Sequence, residues 1–194
     1  CHSGDQFAGF ASSVHGRNRI GKGPAAACSD CHTTHAVRGV SAQEGARRKT
    51  FAESICARCH GEVSVRYIQS DHGVALMSGV KGAPSCIDCH GEHNVRSPRD
   101  SSSATAHSNQ ARVCLGCHLD NPDVRARVGP SAGFISSYEA SVHGQAVKAG
   151  NDSAATCTDC HGSHEMKKGS NPTSAVAKAN IATTCARCHS AIRD

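Results

Sequence analysis

The sequence predicts a mainly α-helical chain with extensive coil and little or no sheet, whose interior is filled by something other than its own side chains. Leu, Ile, Val and Phe together number 28 of the 194 residues, and there is no Trp. A chain with less than about 20% of these four residues tends to bury too little apolar surface to offset its chain entropy. Against this stand 13 cysteines and 14 histidines, and twelve of the cysteines fall in six C-x-x-C pairs.

Every C-x-x-C pair is followed at once by histidine. The six motifs read "CSDCH", "CARCH", "CIDCH", "CLGCH", "CTDCH" and "CARCH". C-x-x-C-H is the attachment signature of c-type haem, because two thiols one helical turn apart can each form a thioether to a vinyl group while the adjacent imidazole binds iron. Zinc ribbons and redox C-x-x-C pairs are the alternatives, and neither requires histidine at the next position. The motifs therefore predict covalently bound haem c in a haem-cored chain.

The motifs belong to a tandem two-haem repeat. Each unit contains aromatic-x-x-S-x-H-G, then C-x-x-C-H-x-x-H, then a second C-x-x-C-H, and the two motifs start 28 residues apart in all three units. The predicted divisions are residues 1–9 as the tail of a truncated preceding repeat, 10–66 as repeat 1, 67–118 as repeat 2, 119–137 as an inserted loop, and 138–194 as repeat 3. Asn-Pro and Gly-Pro in the insertion are typical of loops.

The first two residues, Cys1 and His2, fit the same frame. They fall where the second cysteine and the histidine of a unit's last motif belong, which predicts a truncated C-x-x-C-H and a protein that extends further toward its N-terminus. The alternative is a lipoprotein acylated at Cys1, which explains the cysteine but not the histidine beside it.

The counts of cysteine and histidine predict seven haem c groups, each with two axial histidines. The predicted thioether residues are Cys1, Cys28, Cys31, Cys56, Cys59, Cys86, Cys89, Cys114, Cys117, Cys157, Cys160, Cys185 and Cys188. The predicted proximal ligands are His2, His32, His60, His90, His118, His161 and His189. The seven histidines that remain are the predicted distal ligands, namely His15, His35, His72, His93, His107, His143 and His164.

Six of the distal histidines occupy repeated positions. Three lie in the S-x-H-G element, where the glycine suggests a tight approach of the backbone to haem. Three lie three residues beyond a proximal histidine, a spacing that directs the side chain to a neighbouring haem rather than its own. His107 occurs in one repeat only, aligned with Lys49 and Lys178, and is either a ligand for the haem at His2 or a surface histidine. The sequence leaves the individual pairings open.

Secondary structure is expected to be sparse, with short helices carrying the motifs. A longer helix is predicted in "SNPTSAVAKANIATTCARCH", where Ser170 or Asn171 can cap and Pro172 suits the first turn. The aromatic residues Phe10, Tyr67 and Tyr138 stand five positions before a distal histidine. We expect them to pack against a porphyrin face or edge.

At this point the residues resemble the multihaem c-type cytochromes with doubled C-x-x-C-H motifs of metal-, sulfur- and nitrogen-respiring bacteria and archaea. The phrase "SVHG…CTDCHGSH…CARCH" carries the resemblance over nearly the whole chain. It implies a periplasmic or extracellular electron carrier with haems stacked in alternating parallel and perpendicular pairs. Some members of that group polymerise into conductive filaments.

The sequence thus predicts electron transfer along about seven closely spaced bis-histidine haems, and no enzyme activity. Expected partners are other redox proteins, further copies of the chain through end-to-end haem contacts, or an extracellular mineral acceptor. The alternative is a multihaem reductase or oxidase of a nitrogen or sulfur oxyanion with one open haem, and a third is a structural or haem-storage role. The formal charge is +5 without a basic cluster, so no nucleic-acid partner is predicted. No apolar stretch approaches the roughly 18 residues of a membrane span.

Overall fold

A computed structural model describes residues 4–20, 25–35, 46–129 and 132–193, and the regular structure in these ranges is helical, without strands. The helices are α1 (Asp5–Ser12), α2 (Val14–Ile20), α3 (Cys28–His32), α4 (Ala46–Cys56), α5 (Gly61–Ile68), α6 (Asp71–Met77), α7 (Cys86–His90), α8 (Gln110–His118), α9 (Pro122–Val128), α10 (Ala132–Ala140), α11 (Val142–Lys148), α12 (Cys157–His161) and α13 (Ile181–Cys185). Short 3₁₀ turns span His107–Asn109 and Ser190–Arg193. The predicted mainly helical class is confirmed for these ranges, whereas Cys1 and His2 lie outside the described residues.

The S-x-H-G element is a helix start. In repeat 2 the Ser70 hydroxyl accepts the N–H of Gly73 at 3.1 Å and donates to the carbonyl of Tyr67 at 2.6 Å. Ser13 and Ser141 make the same two bonds in their own repeats. A serine hydroxyl in this position satisfies a backbone N–H that the first helical turn leaves unpaired. Each serine therefore ends one helix and begins the next, and the histidine that follows it lies in the first turn.

The glycine of this element is required by the preceding helix. A Cβ added at Gly73 would lie 2.1 Å from the carbonyl oxygen of Tyr67. The same overlap of 2.1 Å arises between Gly16 and Phe10, and between Gly144 and Tyr138. The tight approach expected at this glycine is thus made to the backbone of the helix before it.

The described residues bury few large side chains. Leu76 is 1% exposed, and the other buried apolar residues are alanines. The remaining buried side chains are mostly serine and threonine, which supply little apolar area. Because apolar burial is the main favourable term in folding, these helices gain little of it from one another.

The insertion at 119–137 contains helical structure, so the prediction of a loop there is wrong. Asn121 caps α9 by accepting the N–H groups of Asp123 at 3.0 Å and Val124 at 3.3 Å, and Pro122 occupies the first turn. Proline is favoured at this position because its missing N–H would be unpaired anyway. Asp123 also forms an ion pair with Lys81 at 2.7 Å, which joins α9 to the turn after α6.

The long helix predicted from residue 170 onward is also wrong, because turns occupy 171–180 and α13 begins only at Ile181. Asn171 accepts the N–H of Thr173 at 2.9 Å, and Asn180 donates to the carbonyls of Pro172 and Ser174 at 2.9 and 2.8 Å. Side chains of this kind offer the backbone partners outside a helix and so compete with it.

None of the helices in the described ranges combines the length and apolar character needed to cross a membrane.

Candidate haem-attachment sites

The first motif of each repeat is a complete short helix, and an aspartate inside the motif stabilises it. In α7 the Asp88 carboxylate accepts both the N–H of Ser85, at 2.6 Å, and its hydroxyl, at 2.9 Å. Asp159 accepts the same two groups of Thr156, and Asp30 accepts the N–H of Ala27. An acidic residue in the first turn also interacts favourably with the helix dipole. The role of these aspartates was not predicted from the sequence, although all three first motifs share the form C-x-D-C-H.

The second motifs differ from the first. In repeats 1 and 3 the helix ends at the first cysteine and the rest of the motif is a turn, closed by the N–H of His60 or His189 onto the carbonyl of Cys56 or Cys185, both at 2.9 Å. In repeat 2 the helix α8 continues through the whole motif to His118. Both forms bring the two cysteines and the histidine together within about one turn.

An arginine in the second motif links it to the first motif of the same repeat. Arg58 donates to the carbonyl of Asp30 at 3.2 Å, and Arg187 donates to that of Asp159 at 3.4 Å. Repeat 2 has Gly116 at the equivalent position, so its two motifs lack this bond.

The structure brings ten of the predicted histidine ligands together as five facing pairs. Three pairs lie within a repeat and join an S-x-H-G histidine to the second motif, with ring centroids 6.0–6.3 Å apart and ring planes tilted by 38–48°: His15 with His60, His72 with His118, and His143 with His189. Two pairs lie between repeats, and each joins a first-motif histidine to the histidine three residues beyond the first motif of the next repeat. Their ring centroids are 5.8 and 6.1 Å apart and their ring planes differ by 6° and 10°: His32 with His93, and His90 with His164. Each pair joins one predicted proximal ligand to one predicted distal ligand.

These separations fit two axial ligands with a metal between them. A metal–imidazole bond is about 2.0 Å long, so two such bonds in line and the distance from each nitrogen to its ring centre place the centroids about 6 Å apart. A tetrahedral zinc site would instead gather four ligands about one point. The described residues contain no group of three or more metal-ligating side chains. The residues present therefore fit c-type haem.

Backbone hydrogen bonds set the register between consecutive repeats. The N–H of Val14 donates to the carbonyl of Val95 at 2.9 Å, and the N–H of Asp71 donates to that of Met166 at 2.9 Å. Each acceptor lies two residues beyond the histidine that enters the between-repeat pair. The S-x-H-G element of one repeat thus fixes the segment that carries the distal histidine of the next.

Three of the predicted ligands have no facing imidazole among the described residues. His161, in the first motif of repeat 3, and His35, in repeat 1, are both exposed. Nε2 of His107 lies 2.9 Å from the Asp159 carboxylate, which favours a structural role. Its predicted partner site at His2, with the predicted attachment residue Cys1, lies outside the described residues, so ligation by His107 stays a prediction.

Contacts between thiols give the order of the attachment sites in space. The pKa of Cys56 is raised by a hydrogen bond with Cys86, which lowers the pKa of Cys86 in turn. Cys114 and Cys157 form the same contact at the next junction between repeats. Within the repeats, burial is the main cause that raises the pKa of three thiols, and a cysteine of the other motif contributes in each: Cys56 for Cys31, Cys117 for Cys89, and Cys185 for Cys160. The motif aspartate contributes more than that cysteine at Cys89 and Cys160. The attachment sites therefore follow one another in sequence order.

Burial keeps several of the facing imidazoles neutral. It lowers the pKa of His72, and the neighbouring ring of His118 lowers it further. The pKa values of His90 and His118 are lowered in the same way, first by burial and then by another histidine. A neutral imidazole keeps a nitrogen lone pair free for a metal, so this environment suits ligation.

The two tyrosines anchor the distal histidines to the first motifs. Tyr67 donates its hydroxyl to the carbonyl of Pro84, and Tyr138 donates to that of Ala155 at 2.9 Å. Both acceptors lie two residues before a first motif. Packing of these rings against porphyrin stays a prediction, and the sequence analysis had not identified the hydroxyl contacts.

Comparison with known proteins agrees with this geometry. Residues 145–194 match the model of a family described as a doubled CXXCH motif, and this segment contains both motifs of repeat 3. A doubled CXXCH motif implies covalent binding of haem c and indicates a cytochrome of the electron-transfer type. No curated protein and no solved structure matches the chain.

Proposed function

We propose that this protein transfers electrons along a row of closely spaced haem c groups with two axial histidines each, six at complete motifs and a seventh at Cys1 and His2. The observation that carries the proposal is the set of five facing imidazole pairs with centroids 5.8–6.3 Å apart. Each pair stands beside the cysteines of a C-x-x-C-H motif, as axial ligation of attached haem requires.

The chain's own residues hold, order and shield the groups. When bound, each haem supplies an iron that accepts and returns one electron. The cysteine pairs would hold each group at a fixed point, and the paired imidazoles would hold its iron from both sides and so exclude substrate. Two imidazole ligands also favour low reduction potentials.

The spacing of the tethers supports transfer from one group to the next. The thiol contacts at both junctions bring the attachment points of consecutive motifs together. The scarcity of large buried side chains leaves the interior to the haems, whose faces are large and apolar.

The physiological setting in this proposal rests on the resemblance to multihaem cytochromes. We place the protein in periplasmic or extracellular respiration. Its partners would be redox proteins, an extracellular mineral acceptor, or copies of itself in a filament.

A haem count and a cycle of reduction and reoxidation test the proposal. The pyridine haemochrome assay should give seven haems per chain, or six if Cys1 does not attach one. Dithionite should reduce all of the haems in the oxidised protein, and a soluble electron acceptor should then reoxidise them. A folded protein that contains zinc, or that lacks covalently bound haem, would refute the proposal.

One observation favours the alternative of an enzyme with an open haem, namely that His161 faces no other imidazole among the described residues. An open iron would bind carbon monoxide in the reduced protein and nitrite in the oxidised protein. Electron transfer alone predicts neither spectral change.

A further inference from the structure

The junction between repeats 1 and 2 contains a buried charged side chain that the proposed function does not use. Glu53 lies in α4 and is 8% exposed, and it is the one charged residue among the buried side chains of the described ranges. Burial of an ionised group is costly unless other groups compensate its charge. A carboxylate in such a place therefore calls for an explanation beyond packing.

The contacts of Glu53 place its carboxylate beside two attachment sites. Helix α4 packs against α5, α6 and α7. Glu53 lies about one helical turn before Cys56 on α4, and the Ser64 hydroxyl of α5 donates to its carboxylate. Cys86, the first residue of α7, makes the thiol contact with Cys56. Glu53 is thus close to the cysteines of two consecutive motifs.

The charge of Glu53 acts on three groups around it. The hydrogen bond with Cys86 and burial raise the pKa of Cys56, and Glu53 raises it further. The hydrogen bond with Cys56 lowers the pKa of Cys86, while burial and Glu53 oppose this change. Burial is the main cause that raises the pKa of Tyr67, and Glu53 is among the acidic groups that add to it. The field of this carboxylate therefore extends over both motifs.

Repeats 2 and 3 have no carboxylate at this position. Glu53 stands three residues before the first cysteine of its second motif, where the other repeats have Ala111 and Ala182. The first-motif aspartate, by contrast, recurs in all three repeats. At this junction Lys49 pairs with Asp88 at 3.0 Å, and no lysine or arginine of the described residues forms an ion pair with Glu53. Glu53 is therefore a negative charge added to one junction only.

We infer that Glu53 lowers the reduction potentials of the two haems attached at Cys56 and at Cys86. The inference rests on the proposed function, because it requires haem at both motifs. Reduction adds one electron to the iron and breaks no bond, so a ferric haem with two neutral imidazoles loses its one positive charge. A nearby carboxylate stabilises the charged, oxidised form and makes the electron harder to add. These two haems are thus weaker electron acceptors than alanine at this position would make them.

The variant Glu53→Gln provides the test, because it removes the charge and keeps a side chain of the same size that can accept the Ser64 hydrogen bond. A spectroelectrochemical titration of the haem-loaded protein resolves the one-electron steps. Two steps should move to more positive potential. The ratio of oxidised to reduced haem at a fixed potential should fall about tenfold in both, the size expected of a unit charge acting through an effective dielectric constant of about 20. The other steps should move less.

Matched variants separate charge from structure. Glu53→Asp keeps the charge and should keep both potentials low. Glu62→Gln removes an exposed carboxylate from α5, which water screens, and should leave every step in place. Glu53→Ala is the second route if the glutamine variant does not fold, since the other two repeats have alanine there, and it should shift the same two steps.

Two outcomes would overturn the inference while leaving the proposed function intact. One is a titration of Glu53→Gln in which no step moves, since the charge would then not act on the haems. The other is a shift of the same size in Glu53→Asp, since the effect would then come from altered packing. A pyridine haemochrome count on the same samples separates these from a failure of the proposed function, in which covalent haem would be missing.

Discussion

The junction between repeats 1 and 2 and the junction between repeats 2 and 3 hold equivalent imidazole pairs by different polar contacts. In the first, Lys49 forms an ion pair with Asp88 at 3.0 Å and donates to a carbonyl at 2.8 Å. In the second, His107 contacts Asp159 at 2.9 Å, and Gln110 accepts two threonine hydroxyls. Yet the ring centroids stand 5.8 and 6.1 Å apart in nearly parallel planes in both.

This difference indicates which interactions define a junction. Different residues make the polar contacts at the two junctions. Exposed ion pairs of this kind contribute only about 0–1 kcal/mol each to the free energy of unfolding. The backbone bonds of Val14 and Asp71, both 2.9 Å, recur unchanged. The histidine geometry therefore depends on the backbone register more than on any particular side-chain bond.

The largest effect is expected from removing the histidine that crosses each junction. His93→Ala and His164→Ala should each leave one iron with a single imidazole and convert one haem per chain from low-spin to high-spin. Because the two junctions are equivalent, the yield should be the same in both variants. Electron paramagnetic resonance measures it, and an unchanged low-spin spectrum in either variant would contradict axial ligation by that pair.

Replacing the S-x-H-G glycine is expected to lower the free energy of unfolding by a similar amount in repeat 1 and in repeat 2. Gly16→Ala and Gly73→Ala each place a Cβ 2.1 Å from a carbonyl oxygen, and overpacking of this kind costs about 1–3 kcal/mol or more. Gly116→Ala is the matched control, since a Cβ there meets nothing within 4 Å and alanine favours helix α8 by up to about 1 kcal/mol. Chemical denaturation measures the free energy of unfolding. Equal stability of Gly73→Ala and the control would show that the helix start can shift without cost.

The second junction should show a pH dependence that His107 strengthens. Burial raises the pKa of Asp159, but hydrogen bonds from Thr156 and His107 outweigh it and hold the pKa below the usual value. This carboxylate therefore adds stability that is complete above the ordinary aspartate pKa of about 3.9 and is lost as pH falls through the lowered folded-state value.

In His107→Ala the acid loss at Asp159 should shrink and be complete at a higher pH, with a change of at most about 1 kcal/mol at neutral pH. Denaturant unfolding between neutral and acid pH measures this difference. Lys49→Ala, at the other junction, is the control and should leave the Asp159 contribution in place. Identical acid profiles for His107→Ala and the unaltered chain would exclude the contact as its source.

The smallest effect is expected within the repeats. Arg58→Ala removes one exposed hydrogen bond of 3.2 Å to the Asp30 carbonyl and should cost about 0.5 kcal/mol. Arg187→Ala, with a bond of 3.4 Å, should cost no more. Thermal unfolding followed through the haem absorbance would detect a larger loss, which would mean that the arginine has a partner beyond this carbonyl.

The sequence was sufficient for the motifs and for the helical class, because fixed spacing encodes both directly. It could not assign the histidine pairs, since the partner of His32 lies in the next repeat and is set by a backbone register that no local pattern reveals. For the same reason the sequence could not explain Gly73, which is required because the carbonyl oxygen of Tyr67, six residues earlier, leaves no room for a Cβ. The helix wrongly predicted from residue 170 shows how Asn171 and Asn180 override a favourable helix pattern through their own hydrogen bonds.

The contacts between Cys56 and Cys86 and between Cys114 and Cys157 have a consequence for biogenesis. Each is a hydrogen bond between two sulfurs, so the thiols lie close enough for a two-electron oxidant to join them as a disulfide as long as neither carries a thioether. One such cross-link would disable two neighbouring motifs at once. The newly made polypeptide would therefore have to stay reduced until haem has formed thioethers with these cysteines, so attachment competes with oxidation during maturation.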